Sequence, residues 1–191
     1  MKYTIYLLLP LFIISCTNGS KLDYKYSDKE QVILCENENN ALLNEMLYNF
    51  EEDIYQHNPT PTKTRVNAYG QYIYRGMTGS SLYSDIATPH ALAIRDQLIA
   101  ENILITNGTK SNLNYEHPAV QCIINNIEDH DIKTTINALM EVNSMDPAMF
   151  NSRLRNFGRQ AEKNRYQASY IALDSYYQNL VGLTLEALAN E

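Results

Sequence analysis

The chain is 191 residues long, carries 22 acidic against 15 basic side chains for a net charge of −7, and is 45% hydrophobic with seven glycines and three cysteines. Those counts exclude a disordered or collagen-like chain, a basic nucleic-acid binder and a disulfide-dense miniprotein, and they leave one ordinary globular domain.

The N-terminus places Lys2 ahead of an apolar run from Tyr3 to Ile14. Twelve helical residues span roughly 18 Å, short of the roughly 30 Å hydrocarbon core, so the run reads as a signal peptide over residues 1–15 and not as a membrane span. It ends in Ile13-Ile14-Ser15-Cys16, which resembles the lipobox of bacterial lipoproteins. That resemblance implies cleavage ahead of Cys16 and its acylation as the first mature residue; a secretory signal with a chance cysteine is the competing reading. Thr17, standing where an inner-membrane signal would carry aspartate, implies by the same resemblance an outer-membrane address, with the periplasmic or surface face open. The high Asn and Tyr content fits a Bacteroidota-type source. Residues 16–27 then read as the lipidated cysteine and a polar tether, and residues 28–191 as the folded body. Cys35 and Cys122 remain, an even count in an oxidising compartment, which predicts a disulfide; two buried free thiols are the alternative.

From Ser27 the body is periodic at 3.6 residues. Ser27 and Glu30 have the spacing of a capping box, and Val32, Cys35, Leu43, Met46, Leu47, Phe50 and Ile54 share one helical face. Because residues 31–34 are β-prone, that helix is expected to begin near Glu36, and Asn58-Pro59-Thr60-Pro61 ends it. A second helix fits Lys63–Met77, with Val66, Tyr69, Ile73 and Met77 inward and Gly76 and Gly79 closing it. Thr88-Pro89 starts a third, running to about Ile103. Residues 106–116 read as a loop. Pro118 opens a helix to about Glu128, Asp131 caps the next, Asp146-Pro147 repeats the start signal, and a long last helix spans Arg159 to Leu188. The prediction is an all-α bundle of six or seven helices in a single domain, with Ile103–Thr106 as a weak strand candidate. The stretches LCENENNALLNEMLYNFEEDI, HPAVQC and YIALDSYY resemble small helical lipoproteins of flavobacteria with no assigned function, so the resemblance implies no activity.

No phosphate loop, nucleotide fingerprint or nucleophile elbow is present, and residues 76–81 read as a helix stop. The cluster Glu128-Asp129-His130-Asp131 has hard oxygen ligands and one imidazole; it reads as a solvated turn before a helix, with cation binding as the competing account. No catalytic residue, metal ligand or cofactor is assigned. Two surface features suggest binding. Arg153, Arg155, Arg159, Lys163 and Arg165 concentrate positive charge, with 155, 159 and 163 on one helical edge; they either meet an anionic partner or pair with Glu162 and the acidic first helix. The chain also has 15 tyrosines and no tryptophan. Those of the last helix are expected at the core edge with hydroxyls in water, and Tyr69, Tyr72, Tyr74 and Tyr83 as an exposed patch. The function these features suggest is a lipid-anchored envelope protein acting as a non-catalytic binding or accessory module, its partner another envelope protein and not nucleic acid. The alternative is a hydrolase of peptidoglycan or polysaccharide working through carboxylates drawn from Glu51, Glu52, Asp53, Glu128, Asp129 and Asp131.

Overall fold

Helix α1 (Asn40–Gln56) begins where Asn39 Oδ1 accepts the Leu42 amide at 3.1 Å, and the Ser27–Glu30 box expected to open it lies outside any helix. The cause is Asn44 on α1. Its Oδ1 accepts the amides of Val32 and Ile33 at 2.7 and 3.0 Å, its Nδ2 donates to Ile33 O at 2.8 Å, and Tyr48 Oη donates to Glu30 O. Those bonds hold residues 30–33 extended along α1, which supplies the backbone partners a helix would otherwise provide. The computed structural model describes residues 22–78, 83, 85–142, 145 and 160–189.

Among the described residues the chain is all-helical, with seven helices and no strand. After α1 come α2 (Arg65–Thr78), α3 (Pro89–Ala100), α4 (Pro118–Asn125), α5 (His130–Glu141), α6 (Arg165–Ile171) and α7 (Leu185–Ala189). The Asp146-Pro147 start signal lies outside the described residues. An isolated antiparallel bridge joins Leu104 to Leu113, which is all that the Ile103–Thr106 strand candidate becomes.

Several starts follow local chemistry. Thr88 Oγ1 accepts from Ala91 N with Pro89 at the first helical position, and His117 Nδ1 accepts from Ala119 N ahead of Pro118. Helix α3 stops at Ala100, short of Ile103, because Asn102 takes φ 60° and the Ile103 amide returns to Leu98 O at 2.9 Å. Asparagine tolerates that left-handed turn better than other non-glycine residues. Helix α5 is capped by Asp129, whose Oδ1 accepts from Ile132 N; the expected cap Asp131 lies inside its first turn.

The predicted helix over 159–188 is several pieces. Asn164 caps α6, Ala172–Tyr176 widen into a π turn, Tyr177–Leu180 tighten into a 3-10 turn, and Gly182 at φ 87° turns the chain into α7. Ser175 Oγ bonds back to Ile171 O at 2.6 Å, a contact that competes with the regular ladder. Arg95 of α3 donates through Nη1 to Leu180 O and Leu183 O, so the carbonyls left over at the break meet a cation.

Helix α1 is the centre of the body, against which α2, α3, α6 and the π turn pack. Leu43, Met46, Leu47, Phe50 and Ile54 of the predicted stripe are buried, while its Val32 and Cys35 lie ahead of the helix; Leu42, Asn44, Glu45, Asn49, Glu51 and Asp53, outside the stripe, are buried too. A helix covered on every side is a core helix, and its polar positions must then find partners inside. Cys35 and Cys122 form the predicted disulfide, Cα atoms 5.9 Å apart, which ties the extended entry of α1 to α4.

Candidate functional site

Three carboxylates of α1 show what the interior does with charge. Glu51 takes Arg165 in two bonds, Nη1–Oε1 at 2.6 Å and Nη2–Oε2 at 2.9 Å, and accepts Tyr69 Oη at 2.9 Å; Arg65 approaches Oε2 at 3.7 Å. Of the basic group singled out in the sequence, Arg165 thus pairs with the acidic first helix. Glu45 holds His90 Nε2 at 2.6 Å and accepts the backbone amides of Lys25 and Tyr26 at 2.7 and 2.9 Å. Residues 22–26, expected as free tether, are therefore bonded to the body, with Leu22 buried.

Asp53 accepts Tyr176 Oη and Asn49 Nδ2, both at 2.8 Å through Oδ2, with Thr88 Oγ1 at 3.5 Å. Burial lifts its carboxyl to about 6 from the ordinary 3.8, against the lowering by those hydrogen bonds and by His57. The unfolded chain releases this proton near 3.8 and the fold holds it to about 6. The group therefore costs stability as pH rises through that window, on the order of 3 kcal/mol in total. Asp53→Asn is expected to gain on the wild type between pH 4 and 6.5, with a level difference above, in urea melts at stepped pH. A difference that stays constant across the window would show Asp53 ionised at both ends.

Of the tyrosines of the last segment, Tyr166 is partly buried at the core edge as expected, its hydroxyl on Leu34 O at 3.2 Å, and the others are core residues. Tyr170, Tyr176 and Tyr177 are fully buried, Tyr176 bonded to Asp53 and Tyr177 donating to Met46 O at 3.1 Å. Buried Asp174 accepts Tyr115 Oη at 2.5 Å, and Gln178 accepts Ser111 Oγ and the Asn112 amide, so part of the 106–116 loop is fastened to the π turn. Glu128 and Asp131 are exposed at the start of α5 and Asp129 is the cap. Among the described residues no cluster of three or more His, Cys, Asp or Glu is arranged to hold a metal ion.

The expected tyrosine patch separates into three environments. Tyr69 is fully buried between α2 and α1, its hydroxyl on Glu51, and burial holds its pKa well above the ordinary value. It belongs to the core because Tyr69 and Ile73, four residues apart, share the face of α2 that meets α1. Tyr74 lies on the outside, 49% exposed. Tyr72 and Tyr83 are half-buried and line a slot with Ile54, His57, Asn58, Ala68, Gln71, Arg75 and Ile86 whose free volume is about 20 Å³. Tyr72 Oη donates to Ser175 O at 2.7 Å. Lys163 is exposed, and Arg155 and Arg159 lie outside the described residues.

Asn58 is the polar feature of the slot that sequence reasoning missed. It is 4% exposed; its Oδ1 accepts Thr60 N and Oγ1, while its Nδ2 has no hydrogen-bond partner within the protein. An unmet buried donor costs about 1–3 kcal/mol, and this nitrogen is closed off from solvent. Ile54, Ala68, Ile86 and the two tyrosine rings meet His57, Gln71 and Arg75 in the slot, a mixed lining that as it stands admits a water-sized group. Compared with family models, curated proteins and solved structures, the chain matches none.

Proposed function

We propose that the chain is a lipid-anchored protein of the bacterial cell envelope, held at the outer membrane by Cys16, that serves as a non-catalytic binding or accessory module for another envelope protein. The observation that carries this reading is the Cys35–Cys122 bridge. It pairs two of the three cysteines, a state that persists in oxidising compartments, and leaves Cys16 at the end of the lipobox as the one available for acylation. Two or more acyl chains make a lasting anchor.

Support for a binding role over hydrolysis comes from α1. Glu51 and Asp53 are engaged by Arg165, Tyr69, Tyr176 and Asn49, so neither is free to act on a substrate as half of a carboxyl pair. The surface at the mouth of the slot beside α2, where half-buried Tyr72 and Tyr83 meet Arg75, is the best supported partner contact.

Two measurements test the reading. A fatty-acid probe is expected to label the wild type and not Cys16→Ser, which should also leave the membrane fraction. A photo-crosslinking residue placed at Tyr74 or Tyr83 in living cells should capture a defined envelope protein, and Arg75→Glu should weaken capture at Tyr83 several-fold. Unlabelled wild type sinks the anchor. Turnover of purified cell-wall fragments by the body, with no capture at either position, sinks the module.

A further inference from the structure

We infer that the face carrying Tyr24, Tyr26, Lys29, Tyr55, Lys63 and Arg65 lies against the phospholipid headgroups of the membrane that holds the protein, an inference that rests on the lipid anchor proposed above. Five residues separate Cys16 from Leu22, a reach of at most roughly 20 Å over the six steps when fully extended. A body of this size is roughly 40 Å across. The anchor is therefore too short to let the body turn freely, and the face from which the chain leaves it stays near the membrane.

Glu45 decides which face that is. Its carboxylate fixes the backbone of Lys25 and Tyr26, His90 closes on it from α3, and Leu22 is buried beside them. The Tyr26 ring stands 6.0 Å from that of Tyr48, and Lys29 Nζ lies 4.5 and 4.7 Å from the two centroids. Lys29 borders two shallow grooves, one lined by Tyr24 and Tyr26, the other by Tyr48, Tyr55 and Arg65. The grooves make one continuous surface with the tether's exit, and Lys63 reaches it over the Tyr55 ring at 6.0 Å.

The chemistry of that surface suits headgroups. Tyrosine places an apolar ring and a hydroxyl at the level where lipid turns polar, and flexible lysines extend to phosphate oxygens. Asp28, Glu30 and Glu52 are also exposed here and offset the cations. On a chain of net charge −7, a face near charge balance is repelled by anionic lipid less than the acidic remainder is.

The absence of tryptophan from the chain makes the test direct. Lipidated full-length protein bearing Tyr24→Trp, Tyr55→Trp or, on the C-cap of α5 where the side chain is 66% exposed, Val142→Trp is reconstituted in vesicles of phosphatidylethanolamine and phosphatidylglycerol with brominated acyl chains. The first two are expected to be quenched at least threefold more than the third, and adding Lys29→Glu, Lys63→Glu and Arg65→Glu to Tyr55→Trp should remove most of the difference. Retention of the Cys35–Cys122 bridge and of helical circular dichroism identifies folded variants, and Tyr55→Trp, at a half-buried position near the end of α1, serves if Tyr24→Trp does not fold. Acylated protein in which Val142→Trp is quenched as strongly, in which none is quenched, or in which the charge reversals change nothing overturns this orientation alone. Mass spectrometry finding no acyl chain on Cys16 overturns the anchor itself, and the orientation with it.

Discussion

Glu51→Ala is expected to lower the unfolding free energy by about 3–5 kcal/mol, as much as truncating a fully buried hydrophobic side chain of α1. Glu51 is 3% exposed and Arg165 is 19% exposed on the side chain, and the guanidinium meets the carboxylate through two nitrogens. Removing the carboxylate leaves Arg165 desolvated without an anion and Tyr69 Oη, deep in the α1–α2 contact, without its acceptor. The size comes from stranding those partners and not from the net worth of the pair, which hydrophobic residues of equal volume can match. Glu51→Gln, which keeps an oxygen for Tyr69 and loses only the charge, should fall between wild type and alanine. Asp96 is the control. It also pairs with an arginine, Arg95, at 2.7 Å, yet its side chain is 65% exposed, so Asp96→Ala should cost less than about 1 kcal/mol. Urea melts of the oxidised protein measure all three; equal losses for Glu51→Ala and Asp96→Ala would show that the α1–α6 pair is solvated.

The pairing of Glu51 with Arg165 marks the limit of what sequence could anticipate. A basic last segment facing an acidic α1 is readable from charge, but which of five cations arrives, and with which carboxylate, depends on an α6 that starts at Asn164. Helix starts at Thr88-Pro89 and Pro118 were legible because capping is local chemistry. The core stripe of α1 was legible because burial follows period. Its buried polar face was not, since Asn44, Glu45 and Asp53 look in sequence like a solvated side and become interior only when residues 22–33, α3 and the π turn cover them. The π turn itself left no signal beyond Ser175 and Gly182. Tyr69 is the instructive error. Its spacing from Ile73 already placed it on the core face of α2, and grouping it with Tyr72, Tyr74 and Tyr83 as a patch set residue type above period. The slot that Tyr72 and Tyr83 line also borders Asn58, whose unmet amide is visible only after the 58–62 turn has folded its oxygen onto Thr60.

Replacing Cys35 and Cys122 together by alanine is expected to lower stability by about 4–5 kcal/mol on the chain-entropy account of an 87-residue loop. That span covers α1, α2, α3 and the 103–116 turn, so the bridge restrains most of the core-forming chain in the unfolded state. It also has a native consequence that loop length alone does not include. Residues 30–35 are held on α1 by side chains, Asn44 and Tyr48 above all, and Cys35 is where that extended segment is pinned to α4. Without the bridge, side-chain bonds from Asn40, Asn44 and Tyr48 must retain the segment, and amide exchange at Ile33 and at position 35 should accelerate by more than the global loss predicts. Two observations check this together. Alkylation of the denatured, unreduced wild type should leave Cys35 and Cys122 unmodified until reductant is added. Hydrogen exchange of the double alanine variant should then show residues 32–35 opening before α1 does. Exchange that rises evenly over the whole fold would mean that the bridge acts only through the unfolded chain and that the segment docks without it.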